Sequence, residues 1–341
     1  MKLSMITAAS VIEAQILANV PVMLWGPPGV GKSSLFRQIA KKLSTPKEEW
    51  GHIDFRAALR DPVDLRGLPL VDANKGTTRW LPPNELPQEK RDGKRGLLVL
   101  DELPQSMMAM QNACFSLVLD RYIGEYHLPP GWVVVAAGNR RSDRSGAGAM
   151  NKALANRFAH FEVAPELDAW RKWAAEHDIH PMVVAFVCFR TQFLHAMPDD
   201  ADENAYPTPR AWEQVSKHMG VTNADLRHAL VASLVGENVA NEFEAFISVF
   251  SHLPSIDAIL RDPKTVRLPD LTEPGIMFAL AMGLARRATK KDFGNALTYM
   301  ERVNSPEHIT MFAVDAARRD PKLKETPAFA KWYVDNQDVV L

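Results

Sequence analysis

Gly26-Pro27-Pro28-Gly29-Val30-Gly31-Lys32-Ser33 decides how the rest of this 341-residue chain reads. Its spacing is G-x-x-x-x-G-K-[ST], the phosphate-binding P-loop pattern. The glycines let successive backbone N–H groups converge on one anion. Lys32 is then placed to reach β- and γ-phosphates, and the Ser33 hydroxyl to ligate Mg²⁺. Upstream, Val20 to Trp25 is an apolar run that reads as a buried strand. Downstream of Lys32, Leu35, Ile39 and Leu43 recur at helical spacing. The loop therefore opens a helix, whose N-terminal dipole favours the negative charge of a phosphate. The expected nucleotide-binding residues are Gly26, Pro27, Pro28, Gly29, Val30, Gly31, Lys32, Ser33 and Ser34.

A second motif makes the first one mean hydrolysis. Gly96-Leu97-Leu98-Val99-Leu100-Asp101-Glu102 reads as a buried strand ending in two carboxylates. After a P-loop, Asp101 is expected to hold Mg²⁺ through water, as a Walker-B Asp does. Glu102 stands one residue further out, where a general base polarises the attacking water. ATP and Mg²⁺ are the implied substrate and ion.

Composition narrows the remaining classes. The chain is 46% apolar and 24% charged, ordinary for a soluble globular protein, and its length suggests two or three domains. With 40 basic and 41 acidic residues the net charge is −1, which calls for neither nucleic acid nor an anionic membrane. The longest apolar stretch, Gly275 to Ala285, is too short to span a bilayer, and Met1-Lys2-Leu3-Ser4 lacks a signal-peptide core. Cys114 and Cys188 form no C-x-x-C pair and read as buried free thiols of a reducing cytosol. A cytoplasmic location is expected. The histidines, His177 and His180 among them, form no H-E-x-x-H or Cys/His cluster and read as structural or surface residues.

Strand-like and helix-like stretches alternate up to about residue 164. Candidate strands are Val20–Trp25, Gly51–Phe55, Gly96–Leu100, Trp132–Ala137 and His160–Val163, with a helix over Gln105 to Asp120. The alternation predicts a parallel sheet with helices on both faces, and ligands beyond the carboxyl ends of its strands. After Pro165 the strands stop. Leu167–His177, His180–His195, Pro209–Met219, Asn223–Leu234 and Ala240–Leu253 read as amphipathic helices. Trp170 with Trp173, and Val183, Phe186, Val187 and Phe193, read as core faces. Arg261 to Pro274 reads as a connector before Gly275–Ala288, Lys290–Val303, Glu307–Arg319 and Ala328–Asp335. Two segments stand outside this pattern. Leu59 to Pro83 reads as an irregular loop, and Arg121 to Trp132 as a small hairpin around Tyr122-Ile123-Gly124-Glu125-Tyr126.

Further residues fall into a known order. Ala136-Ala137-Gly138-Asn139 ends a strand in a polar amide. Asn151 to Phe158 is a short helix ending in Arg157-Phe158. Pro207-Thr208-Pro209-Arg210-Ala211-Trp212 starts a helix with an arginine. With the two carboxylate and phosphate motifs, the chain resembles an AAA+ ATPase over about residues 5–255. Within that superfamily it resembles the MoxR-like branch, on Asp61-Pro62-Val63-Asp64-Leu65-Arg66-Gly67-Leu68-Pro69, the hairpin before Trp132, and Thr208-Pro209-Arg210. It departs from that branch where Leu103-Pro104 follows Asp101-Glu102 and where Asn139 is followed by Arg140-Arg141.

The resemblance implies an α/β P-loop NTPase core with a parallel sheet over 1–164, an all-α lid over 165–255, and a helical C-terminal extension over 256–341. It implies that Asn139 is the sensor that orients water, that Arg157 is an arginine finger acting on a neighbouring subunit, and that Arg210 couples the lid to the phosphates. Arg140, Arg141 and Arg144 are candidates for trans contacts, though solvated surface roles suit them better. The resemblance further implies a homo-oligomer, most often a hexamer, that remodels a protein partner, in many relatives one carrying a von Willebrand factor A domain. Two rival functions are a nucleic-acid motor and a nucleotide-gated structural component of an assembly.

Overall fold

Leu97 and Val99 face one way along their strand, Leu98 and Leu100 the other, and all four are fully buried. A strand with two buried faces needs cover on both, which a parallel sheet between helices supplies. The computed structural model shows that arrangement, and it describes residues 2–143, 148–198, 203–250, 253–269 and 274–336. The chain divides into two compact units, Met1–Glu166 and Leu167–Leu341.

In the first unit the strands are β1 (Lys2–Leu3), β2 (Val22–Trp25), β3 (Trp50–Arg56), β4 (Leu68–Asp72), β5 (Thr77–Leu81), β6 (Arg95–Asp101), β7 (Tyr122–Ile123), β8 (Tyr126–His127), β9 (Gly131–Gly138) and β10 (Ala159–Val163). Six of them form one sheet in the order β1-β10-β2-β9-β6-β3, every neighbouring pair parallel. The five expected strands make up all of it but β1, with β3 at the opposite edge. β1 is an addition, two residues long and so without a readable alternation.

The helices of this unit are α1 (Met5–Leu17), α2 (Lys32–Leu43), α3 (Pro62–Arg66), α4 (Glu89–Asp92), α5 (Met108–Leu119) and α6 (Lys152–Ala155). Ala8, Ile12 and Ile16 of α1 and Leu35, Phe36 and Ile39 of α2 cover one sheet face with Val22, Leu24 and Val135. Met110, Cys114 and Leu117 of α5 cover the other with Met23, Leu98 and Val134. α5 starts later than the sequence suggests, because Pro104 lies in a separate 3₁₀ turn, Leu103–Gln105.

The segment from Leu59 to Pro83 corrects an expectation. It is largely regular: α3 is followed by an antiparallel hairpin, β4 with β5, in register from Leu68↔Leu81 to Asp72↔Thr77. Pro62 starts α3, and the Asp61 N–H donates to the Asp64 carboxylate at 3.0 Å, so local capping orders a segment that lacks a periodic apolar pattern. The smaller hairpin, β7 with β8, lies where it was expected.

The second unit is helical: α7 (Leu167–Glu176), α8 (Pro181–Phe189), α9 (Pro209–Lys217), α10 (Ala224–Val235), α11 (Glu237–Phe250), α12 (Ile256–Arg261), α13 (Pro274–Arg287), α14 (Phe293–Val303), α15 (Pro306–Arg319) and α16 (Pro327–Asp335). The helix expected over His180–His195 ends at Phe189, and Thr191–Leu194 is a 3₁₀ turn. The short α12 was not foreseen. The expected connector 261–274 has residues 270–273 outside the described ones, and residues 251 and 252 of the helix expected to Leu253 also lie outside them. Trp170, Val183, Phe186 and Val187 are buried as expected, and Trp173 and Phe193 are partly buried against them. α13 belongs to two cores at once. Ala279 and Met282 pack with Phe186 and Phe243, while Leu280 and Leu284 pack with Phe293 and Phe312.

Cys114 and Cys188 are buried free thiols, and burial pushes each up to about 12. No helix among the described residues is long and apolar enough to cross a membrane.

Candidate active site

Of the three glycines in the phosphate loop, Gly31 and Gly26 have different tasks. Gly31 has φ +90°, in the left-handed region that costs an L-residue strain, and it leads directly into α2. Gly26 lies against β10, where a Cβ would stand 2.8 Å from the Val163 carbonyl oxygen. β2 delivers the loop at the carboxyl edge of the sheet, between β10 and β9.

Lys32 is buried, with its ammonium turned into the loop. It donates to the carbonyls of Gly26 at 2.9 Å and Pro27 at 3.0 Å, and to Asn139 Oδ1 at 2.7 Å. The tip of β9 is thereby joined to the P-loop. Next to it, Ser33 Oγ donates to Asp101 Oδ2 at 2.6 Å. Asp101 Oδ1 accepts from the Glu102 N–H at 3.0 Å. Three strands and one helix therefore converge on one corner, which holds Lys32, Ser33, Asp101, Glu102 and Asn139.

This corner fits a nucleoside triphosphate. A cradle with open space beside Gly31, a helix N-terminus and a buried ammonium together suit a polyanion. The hydroxyl of Ser33 and the carboxylate of Asp101 are the hard oxygen ligands that could hold Mg²⁺. Glu102 is exposed, with φ +56° and ψ +28°, a left-handed conformation rare outside glycine and asparagine. The turn carries its carboxylate out of the strand direction, while Asp101 stays bonded to α2.

Other expected residues lie elsewhere. Arg157 follows α6, half-buried, with its guanidinium carbon 5.4 Å from the Phe115 ring centre and its buried Nε without a partner. Arg210 is exposed in the first turn of α9, in the other unit, behind a Thr208 cap that accepts from the Ala211 N–H at 3.0 Å. Ser34 is exposed on α2. Arg140 is not a solvated arginine. It forks onto Asp143, Nη2 to Oδ1 at 2.8 Å, and also bonds Glu162. Those bonds hold its guanidinium above the usual range, Asp143 first. Arg141 is exposed, and Arg144 lies outside the described residues.

The sequence reading missed a polar row on the edge strand. His52, Asp54 and Arg56 alternate along β3, and Arg56 stands opposite Asp101 in register. Desolvation, then the negative charge of Asp101, raises the Asp54 carboxyl; burial, then Arg37, lowers His52. Polar residues at every second position of β3 were the available signal.

Fold and site together define a P-loop NTPase. Residues 21–158 match the family described as AAA domain (dynein-related subfamily), and the chain is a nucleotide-binding ATPase. Solved structures similar to this chain include a mutant RuvB from Thermotoga maritima, 19% identical over 74% of this chain and 73% of that one, with TM-score 0.40. NtrX from Brucella abortus is 17% identical over 95% and 68%, with TM-score 0.38. NtrX in complex with ADP is 14% identical over 98% and 68%, with TM-score 0.36. At these TM-scores the three structures carry no weight for what the chain does.

Proposed function

We propose that this ATPase is a Mg²⁺-dependent, MoxR-like machine that works as a homo-oligomeric ring, a hexamer by preference, to remodel a protein partner. On this reading residues 1–164 are the motor core, 165–255 its helical lid and 256–341 a helical C-terminal extension, acting in the cytoplasm. Ser33 and Asp101 hold Mg²⁺, whose charge offsets that of the phosphates. Lys32 neutralises the β- and γ-phosphates. Glu102 takes a proton from the attacking water, and the Asn139 amide orients that water. Arg157 completes the site of a neighbouring subunit, where its charge offsets charge developing on the γ-phosphoryl oxygens. Arg210 ties the lid to the phosphates of its own subunit.

One observation supports a protein rather than a nucleic acid as the partner. The β4–β5 hairpin exposes Leu68, Leu70, Val71 and Leu81, Val71 by 80%. Exposed apolar clusters of this kind usually mark protein contact. The hairpin is also anchored to the core. The Trp80 N–H donates to Glu125 at 3.0 Å, the Arg66 guanidinium stacks 4.0 Å over the Trp80 ring, and Glu125 stands in the turn between β7 and β8. β8 leads by a short link into β9, which Asn139 follows. A partner held on the hairpin is thus connected to the nucleotide corner. A von Willebrand factor A domain protein is the partner we would test first.

The test replaces residues 70–78 with a Gly/Ser linker. Basal phosphate release should stay near wild type, while stimulation by an unfolded protein such as casein is lost. Strong stimulation by single-stranded or duplex DNA at low salt, lost on the same replacement, would overturn the proposal in favour of a nucleic-acid motor.

A further inference from the structure

We propose that His160 is a positioning residue, a bridge that fixes the turn carrying Arg157 to the strand carrying the P-loop. This rests on the role proposed above for Arg157. His160 is the second residue of β10, its Cα opposite Met23 of β2. Its ring lies nearly parallel to that of Trp25, at 17°, and makes two hydrogen bonds in opposite directions. Nδ1 is 2.8 Å from Trp25 Nε1, and Nε2 is 2.7 Å from the Ala155 carbonyl oxygen.

The partners determine the protons. An indole N–H can only donate and a carbonyl oxygen can only accept. Nδ1 therefore carries the lone pair and Nε2 the hydrogen, which fixes the tautomer. Each bond ends at a critical point. Trp25 is the last residue of β2 and is followed by Gly26, whose carbonyl holds Lys32. Ala155 is the last residue of α6, and its carbonyl also accepts from the Phe158 N–H at 3.1 Å. Arg157 lies inside that closing turn, its own N–H bonded to Leu154 at 3.0 Å. The His160 side is exposed, whereas its strand neighbour Phe161 is buried. What the ring supplies is its two directional bonds rather than core volume.

The bridge sets where Arg157 emerges relative to the P-loop strand. Displacement of a catalytic group by an ångström can cost about 10²-fold in rate. His160→Ala should therefore lower kcat for ATP by ~10-fold while KM stays within about twofold, because Arg157 acts on the transition state rather than on binding. His160→Gln, whose amide offers one acceptor and two donors, should recover most of that loss. In an Arg157→Lys background, with the finger already misplaced, His160→Ala should have little further effect. Melting temperatures are measured for every variant. If His160→Ala melts below the assay temperature, His160→Phe replaces it, keeping a ring and losing both bonds.

Wild-type kcat in His160→Ala, or a loss of equal size in the Arg157→Lys background, overturns the bridge. So does a rise in KM at constant kcat. Failure of the underlying reading looks different: Arg157→Ala would then turn over like wild type. An inactive Arg157→Ala beside a fully active His160→Ala sinks the bridge alone.

Discussion

Arg227 in the helical unit and Arg157 in the α/β unit are the same side chain left in opposite states. Arg227 of α10 is closed: Nε and Nη2 donate to the two oxygens of Glu244 on α11, at 2.8 and 2.6 Å, and Nη1 donates to the Val221 carbonyl at 3.0 Å. Arg157 rests over an aromatic ring, with a buried Nε that no group satisfies. A fork with every nitrogen engaged holds two helices together and has little left for a ligand. The nucleotide corner shows the intermediate case. Lys32 and Ser33 are bonded, but to a loop carbonyl pair, an amide and a carboxylate that a triphosphate and its ion could replace or join.

Breaking the open arginine should have the largest effect. Arg157→Ala is expected to reduce ATP turnover ~10³-fold, about 4 kcal/mol, at nearly unchanged nucleotide affinity and melting temperature. Mixed with Glu102→Gln subunits, it should regain activity at interfaces that pair an intact Glu102 with an intact donated Arg157. Co-assembled subunits that regain nothing would remove the trans role.

Glu102→Gln comes next. Removing the base while keeping size and hydrogen bonding should slow phosphate release about 10²-fold, ~2.7 kcal/mol, with ATP still bound. Steady-state turnover near wild type would take Glu102 out of its role.

The closed arginine sharpens the comparison from the other side. Arg227→Met leaves Glu244 part-buried and unpaired, and should destabilise the helical unit by about 2 kcal/mol in urea titration. Combining it with Glu244→Leu should return most of that loss. Equal loss in the single and double variants would mean that the pair holds nothing.

The smallest effect concerns pH. Burial lowers His308 and His180 of the helical unit, as it lowers His52 of the other. The folded value lies below the unfolded value of 6.5, so the unfolded chain takes up protons first. Their contribution is intact above that value and is lost as the pH falls from it toward the folded value. Melting temperature should therefore drop by roughly 2–4 °C per kcal/mol between pH 7.5 and 5.5, and His308→Gln should flatten the curve. A His308→Gln variant with the wild-type slope would assign the effect elsewhere.

Legibility followed the range of the interactions. The P-loop, the strand before it and α2 were all readable, because one local pattern specifies each. The strand ending in Asp101-Glu102 was readable too, since burial on both faces leaves an unbroken apolar run. The hairpin of β4 and β5 was not, because its apolar residues are exposed and show no buried face to produce an alternation. α12, six residues long, is too short for a periodic stripe. Arg140 reads as solvated from its sequence surroundings, because Glu162 is 22 positions away and the turn that folds Asp143 back onto it carries no apolar pattern.

What the sequence alone determined is the set of residue types and their order: a glycine-rich loop closed by Lys32 and Ser33, the acidic pair Asp101-Glu102 after an apolar run, and the Asn139 amide after another. What only the tertiary structure decided is which of these touch. Lys32 meets Asn139 across 107 positions, Ser33 meets Asp101 across 68, and His160 reaches Trp25 across 135. Those contacts depend on the order of the parallel strands. Each strand's own apolar pattern says only that it is buried, and leaves the identity of its neighbours to the packing of the whole sheet.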